Sequence, residues 1–209
     1  IDAEPRRSVG GPWLGGRMAT VALFHPVLGI RAGTLDAAAR LRDAGHEVLV
    51  VDLFEGRTFD EYRPAMEFVD NELGHEALLG RAVVAVADLP DDFVTMGFSL
   101  GCLPAVFLAG QRRLAGVVMI AGAIPLSAFG ADWPEGLAAQ THATLGDPWR
   151  EQEEIDQTRA CIEDGGGTFE VFDYPGSGHL FTDASLPDEY DADATELLWS
   201  RVLALLAGR

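Results

Sequence analysis

A serine between two glycines, in the pentapeptide Gly97-Phe98-Ser99-Leu100-Gly101, has the clearest chemical potential in the chain. The apolar segment before it is predicted to be a strand and the segment after it a helix, which is the setting of a nucleophile elbow. In such a turn the residues two before and two after the serine face each other, so both must lack bulk. We therefore predict that Ser99 is a nucleophile; the alternative is an ordinary serine in a glycine-rich turn.

A serine nucleophile needs a general base, and an acid must orient that base. In enzymes with this turn the three residues follow in the order serine, acid, histidine. Only His142 and His179 come after Ser99. His142 belongs to a predicted apolar strand and fits the core, whereas His179 lies in a glycine-rich loop that follows a strand. Because catalytic bases occur on such loops, we predict His179 as the base, with a surface histidine as the alternative.

The predicted acid is Asp147, which directly follows a predicted strand in the sequence Gly-Asp-Pro. Its place at the carboxyl end of a separate strand is where a triad acid belongs. Asp147 could instead cap the helix that follows, a role that does not exclude catalysis. Asp173 and Asp183 are rival acids, but each lies close in sequence to His179 and not on a strand of its own.

The tetrahedral oxyanion formed by attack on a carbonyl needs two converging hydrogen-bond donors. One is predicted to be the backbone N–H of Leu100, the residue after the nucleophile. The second is expected from the turn after the first strand. Pro26 in that turn has no N–H, so the nearest suitable donor is the backbone N–H of Val27.

Alternating strands and helices must position these residues. Six apolar segments have the length of strands: 19–24, 47–51, 92–96, 116–121, 141–145 and 168–172. Helical spacing occurs between or after them in 34–44, 59–73, 76–87, 100–109, 151–163 and 192–206. This alternation predicts an α/β fold with a mainly parallel sheet covered by helices on both faces.

We predict that residues 18–209 form one domain and that residues 1–17 are a flexible extension or tag remnant. The first 17 residues are rich in glycine, proline and arginine and have no apolar period, whereas Met18 precedes an apolar strand. The segment 124–136 lies between two predicted strands. It is interpreted equally as a short lid over the site or as a long loop.

Composition excludes several classes of function. The 209 residues carry a net charge of −18, and all 15 basic residues are arginine. A nucleic-acid binder needs a basic surface, and Schiff-base, Ser–Lys or P-loop chemistry needs a lysine. No apolar stretch approaches the ~18 residues of a membrane span. We expect a cytoplasmic monomer or small homo-oligomer that acts on a small molecule.

Metal and cofactor patterns are weak. The two cysteines form no Cys-x-x-Cys motif, and no Cys/His cluster has zinc spacing. The acidic run 188–193 lacks the glycine and the final glutamate of a calcium loop. The glycines at 176 and 178 do not form a dinucleotide fingerprint. We therefore expect no metal and no organic cofactor.

Taken together, these segments resemble the dienelactone hydrolase family of α/β-hydrolases over about residues 18–206. The resemblance rests on residues 25–30, 51–54, 97–101, 142–148 and 174–181. It implies a single-domain α/β-hydrolase fold with little or no cap, and hydrolysis of small carboxylic esters or lactones through an acyl-enzyme. An acyltransferase or thioesterase on the same triad, or a binding module with a vestigial site, remains the alternative.

The chain departs from this family in three places. Founding members carry a cysteine nucleophile where Ser99 stands, and a glutamate in the early turn where Pro26 stands. They also use an arginine after the catalytic histidine to hold a substrate carboxylate, and here Asp183 follows instead. Residues 147–209 hold 15 acidic and 4 basic residues. We therefore expect anionic substrates to be disfavoured if part of this acid, such as Asp183, faces the site.

Overall fold

One sheet of six strands organises the chain, and every pair of neighbouring strands is parallel. The computed structural model describes residues 18–208, so the extension predicted at 1–17 lies outside the described residues. The strands are β1 (Thr20–Phe24), β2 (Glu47–Val51), β3 (Phe93–Phe98), β4 (Leu114–Ile120), β5 (Ala138–Thr144) and β6 (Thr168–Tyr174). Each of the six predicted strands has a counterpart in this sheet.

Helices connect the strands. They are α1 (Ala32–Asp43), α2 (Tyr62–Phe68), α3 (His75–Ala85), α4 (Cys102–Phe107), α5 (Gln152–Asp164) and α6 (Ala192–Ala207). The predicted helix 59–73 is wrong in part, because α2 passes into a π-helical turn at Val69–Leu73. The predicted helix 100–109 begins and ends as 3₁₀ turns around α4. The π-helical turn leads from α2 towards α3, whereas the two 3₁₀ turns lie where the chain leaves β3 and approaches β4.

The centre of the sheet is buried on both faces. All six residues of β3 are buried, although successive side chains point to opposite sides. Such a strand needs a layer of helices on each face. On one face α1 and α6 lie side by side, and Arg40 donates to Glu196 across them at 2.7 Å. The predicted α/β architecture is thus confirmed.

The strand order β2-β1-β3-β4-β5-β6 contains one reversal. From β1 the chain moves outward to β2, returns across β1 to β3, and then continues in the other direction. The connections that leave β1 and β3 therefore diverge and open a crevice at the carboxyl edge of the sheet, where α/β proteins bind ligands. Within residues 18–208, no helix is both long and apolar enough to span a membrane.

Candidate active site

The turn after β3 holds Ser99 in a strained conformation. Its φ of +50° lies in the left-handed region, which is costly for a residue with a side chain. The flanking glycines allow this turn. A Cβ on Gly97 would collide with the carbonyl of Gly101, and a Cβ on Gly101 would lie 2.5 Å from the Phe24 carbonyl oxygen. The pentapeptide spacing is therefore a packing requirement, and the turn presents Ser99 above the sheet.

Ser99, His179 and Asp147 form one chain of hydrogen bonds. His179 Nε2 is 2.7 Å from Ser99 Oγ, and His179 Nδ1 is 2.7 Å from Asp147 Oδ2. A carboxylate only accepts, so Nδ1 carries the proton and Nε2 is free to accept from the serine hydroxyl. The imidazole and the carboxylate are both buried. This geometry is that of a base poised beside a nucleophile.

The loops that carry Asp147 and His179 are tied to each other beyond the ends of β5 and β6. The Gly146 N–H donates to the Gly176 carbonyl at 2.8 Å, which extends the pairing of these strands by one more bond. Thr144 Oγ1 donates to the Gly178 carbonyl, also at 2.8 Å. Asp147 is further fixed because its Oδ1 accepts from the Trp149 N–H at 2.8 Å. The helix-capping alternative does not apply, since α5 begins after Glu151.

The turn after β1 brings Val27 beside the nucleophile, and both Val27 and Leu100 line the same cavity as Ser99. His25 supports this turn. Its Nδ1–H donates to the Pro26 carbonyl at 2.7 Å, and its Nε2 accepts from the Leu53 N–H at 3.0 Å. Burial lowers the pKa of His25, so the ring stays neutral and keeps both bonds. Within residues 18–208 the Val27 N–H has no acceptor, which leaves it available to an oxyanion.

A cavity of about 530 Å³ opens over Ser99. This size suits a small molecule. Most of its wall is apolar, and its polar side chains are few. Its lining comprises Val27, Tyr62, Met66, Ser99, Leu100, Leu103, Ala121, Gly122, Ala123, Ile124, Pro125, Ala128, Trp149, Glu154, Gln157 and His179.

Two aromatic rings flank the imidazole, and sequence reasoning missed both. Trp149 contacts His179 edge-on with ring centroids 4.6 Å apart, and Tyr62 lies 5.9 Å from the same ring. Glu189 holds this arrangement, because it accepts from Tyr62 Oη at 2.8 Å and from the Leu180 N–H at 2.6 Å. Tyr62 and Glu189 are 127 residues apart, so no local pattern could join them.

The segment 124–136 is a packed part of the cavity wall. Its first half lines the cavity, and the 3₁₀ turn Leu126–Phe129 packs on α4 through Phe129 and Phe107, with ring centroids 5.4 Å apart. Its second half is anchored by buried Trp133, whose Nε1–H donates to the Leu137 carbonyl at 2.9 Å. These contacts favour the loop interpretation over the lid.

Three other candidate residues lie away from the chemistry. Asp173 pairs with Arg150 at 2.9 Å, and Asp183 is buried and accepts from Ser185. Asp183 does not line the cavity. Our expectation that Asp183 faces the site and disfavours anionic substrates is therefore wrong. Cys102 is fully buried, and burial raises the pKa of its thiol to about 12. It belongs to the core, as predicted.

His142 is buried within β5 as a neutral ring. The Tyr174 hydroxyl donates to its Nδ1 at 2.8 Å, and its Nε2 lies 3.3 Å from Gln140 Oε1. Burial, aided by the positive charge of Arg201, lowers the pKa of His142 to about 3. This position confirms the prediction that His142 belongs to the core.

His142 makes the fold sensitive to acid. Between the pKa of an unfolded histidine, 6.5, and the folded value of about 3, only the unfolded chain binds this proton. The free energy of unfolding therefore falls as pH falls through this window, by up to ~1.4 kcal/mol per pH unit from this group. His142→Gln should show a smaller fall between pH 7 and pH 5 in urea unfolding. An equal fall in both proteins would contradict this account.

Among the described residues, no group of three or more histidine, cysteine, aspartate or glutamate side chains is placed to hold a metal ion.

A parallel sheet with this strand order, and a serine on a strained turn at its crevice, defines the α/β-hydrolase fold. The model of the dienelactone hydrolase family matches residues 9–208, and the chain belongs to that family. No match was found among the curated proteins.

Solved structures with the same fold differ widely in sequence. The dienelactone hydrolase-like promiscuous phosphotriesterase P91 from metagenomic libraries is 20% identical over 93% of this chain and 87% of its own, with a TM-score of 0.78. Alpha/beta hydrolase domain-containing protein 10 from mouse is 11% identical over 93% and 92%, with a TM-score of 0.66. The RedJ thioesterase of Streptomyces coelicolor is 15% identical over 95% and 91%, with a TM-score of 0.60.

Proposed function

We propose that this protein is a serine hydrolase that cleaves small carboxylic esters or lactones through an acyl-enzyme on Ser99. The observation that carries the proposal is the unbroken chain Ser99–His179–Asp147, with both contacts at 2.7 Å, at a largely apolar cavity. Membership of the dienelactone hydrolase family supports the reaction class.

In the proposed first step, Ser99 Oγ attacks the carbonyl carbon while its proton passes to His179 Nε2. Asp147 keeps the imidazole in the required tautomer and stabilises the imidazolium that forms. The N–H groups of Val27 and Leu100 hold the oxyanion, and such donors contribute ~10²–10³ in rate each. His179 then protonates the leaving alcohol, which departs and leaves the acyl group on the serine.

In the second step, a water molecule replaces the alcohol. His179 takes a proton from the water as its oxygen attacks the acyl carbon, and the same two N–H groups hold the second oxyanion. Collapse returns the proton to Ser99 Oγ and releases the carboxylic acid. No step requires a metal or an organic cofactor. We further propose a small-molecule substrate and a monomer or small homo-oligomer. We also propose a cytoplasmic location, which the two free cysteines support.

The direct test is a panel of aryl esters, lactones, thioesters and a phosphotriester, with labelling by a fluorophosphonate probe. We expect turnover of esters or lactones and covalent labelling at Ser99. Product analysis with competing alcohol and thiol acceptors separates a hydrolase from an acyltransferase. Preferred cleavage of thioesters would favour a thioesterase. A protein with neither turnover nor labelling would be a binding module, and the proposal would be wrong.

Replacement of the nucleophile by cysteine tests the link between Ser99 and Pro26. Ser99→Cys should fold normally but be much less active on esters than the wild type. Activation of a thiol depends on nearby charge, and the early turn has a proline where cysteine relatives place a glutamate. The measurement is kcat/KM on one ester for both proteins. Equal activity would show that the serine and the proline are independent of each other.

A further inference from the structure

The cavity wall carries a charge that the proposed reaction does not use. Among the described residues that line the cavity, Glu154 is the only Asp, Glu or Arg. No arginine lies on this part of the wall, and the chain has no lysine. A substrate in the cavity therefore meets a carboxylate and no compensating fixed cation.

Glu154 stands in the first turn of α5, and Gln157, one turn further on, lines the same cavity. Glu153 is the neighbouring acid of that turn, but it does not line the cavity. Its Oε1 accepts from Gln157 Nε2 at 3.2 Å. Glu154 has no hydrogen-bond or ion-pair partner within residues 18–208. Both acids lie where the N-terminus of a helix favours negative charge, and only Glu154 also lines the cavity.

Two aromatic rings line the same cavity. Tyr62 and Trp149 lie with ring centroids 4.7 Å apart beside His179. The Tyr62 hydroxyl is occupied by Glu189, and burial together with that contact raises the pKa of Tyr62, so its ring stays uncharged. Aromatic faces attract cations, and an ammonium group also satisfies a carboxylate. The two aromatic rings and the Glu154 carboxylate therefore both favour a substrate that carries a positive charge.

We propose that the cavity selects substrates whose end remote from the scissile ester carries an ammonium or related cationic group. An apolar spacer would lie against side chains such as Leu103 and Ile124, with the cationic end near Glu154. This inference rests on the proposed function, whose site it refines. It also replaces Asp183 with Glu154 as the residue that disfavours anionic substrates.

The effect on kcat/KM is moderate because Glu154 is exposed to solvent. Attraction of a cation and repulsion of an anion act in opposite directions, so the ratio between matched substrates reflects both. We expect the cationic substrate to exceed the anionic one by about tenfold at low salt. The ratio should shrink in 1 M salt, where the Debye length is about 3 Å.

The experiment uses three p-nitrophenyl esters with the same alkyl chain, ending in trimethylammonium, tert-butyl or carboxylate. kcat/KM is measured at pH 8 at low and high salt, since partial burial and Glu151 raise the pKa of Glu154. Glu154→Gln should reduce the cation-to-anion ratio to about threefold or less. Glu153→Gln removes the same charge from the same turn and should leave the ratio unchanged.

Several results would overturn the inference: an unchanged ratio in Glu154→Gln, an equal fall in Glu153→Gln, or no preference in the wild type. An equal fall would mean that the net charge of the protein sets the preference. If none of the esters is cleaved, the proposed function fails separately. Calorimetric binding of hexyltrimethylammonium and hexanoate to Ser99→Ala and to Ser99→Ala with Glu154→Gln then tests the inference. We expect hexyltrimethylammonium to bind more weakly to the double variant than to Ser99→Ala, and we expect no such loss for hexanoate.

Discussion

Ser99→Ala is expected to reduce kcat for ester hydrolysis by on the order of 10⁴–10⁶. Alanine removes the oxygen that attacks the carbonyl, and His179 then has no hydroxyl to deprotonate. The donors at Val27 and Leu100 remain, so a residual rate above that in water should persist. KM should change little, because the apolar wall that binds the substrate is intact. Steady-state kinetics on one activated ester measures both quantities.

Ser127→Ala is the matched control for this variant. Ser127 is an exposed serine in the 3₁₀ turn Leu126–Phe129, and it does not line the cavity. The same loss of a hydroxyl should there leave kcat unchanged, and fluorophosphonate labelling should be retained. If the Ser99→Ala variant kept more than a tenth of the wild-type kcat, Ser99 would not be the nucleophile.

Asp147→Asn is expected to lower kcat by on the order of 10⁴. The amide is close to the carboxylate in size, so the ring should keep its position. An amide NH₂ facing Nδ1 favours the tautomer with the proton on Nε2, which cannot accept the proton of Ser99. The loss should therefore appear in kcat, while unfolding by urea shows a folded protein.

Asp173→Asn provides the comparison. It makes the same change at the rival acid, whose carboxylate pairs with Arg150 on a more exposed part of the surface. We expect its kcat to stay within about threefold of the wild type, because surface ion pairs contribute little. A larger loss at Asp173 than at Asp147 would reverse the assignment of the acid.

The fold was largely predictable because its strands are apolar, short and separated by helical patterns. The least accurate strand was β5, predicted at 141–145 and observed at Ala138–Thr144. Its first residues have small or polar side chains with little strand preference, and they join the sheet through pairing with β6, such as Ala138 with Thr168. That pairing is a tertiary contact, which local composition does not contain.

The three candidate triad residues were predictable because each of them follows the carboxyl end of a strand. Ser99, Asp147 and His179 each follow a different strand, and the carboxyl ends of parallel strands meet at one edge. The contacts of Tyr62, Trp149 and Glu189 were not predictable, because they join α2 to loops far along the chain. Trp149 offered one signal, its place two residues after Asp147.

The exposure of Trp149 gives the site a built-in optical reporter. Trp133 and Trp199 are 3% and 4% exposed, whereas Trp149 is 45% exposed and touches the His179 ring. A collisional quencher such as acrylamide should therefore reach the emission of Trp149 far more readily than that of Trp133 or Trp199. A ligand in the cavity should shield the Trp149 indole from the quencher. Protonation of the adjacent imidazole should lower the emission intensity of this indole. Substrate arrival and the charge state of the base could then be followed in the unlabelled protein as the part of the emission that a Trp149→Phe variant lacks. The fourth tryptophan of the sequence, Trp13, lies outside the described residues.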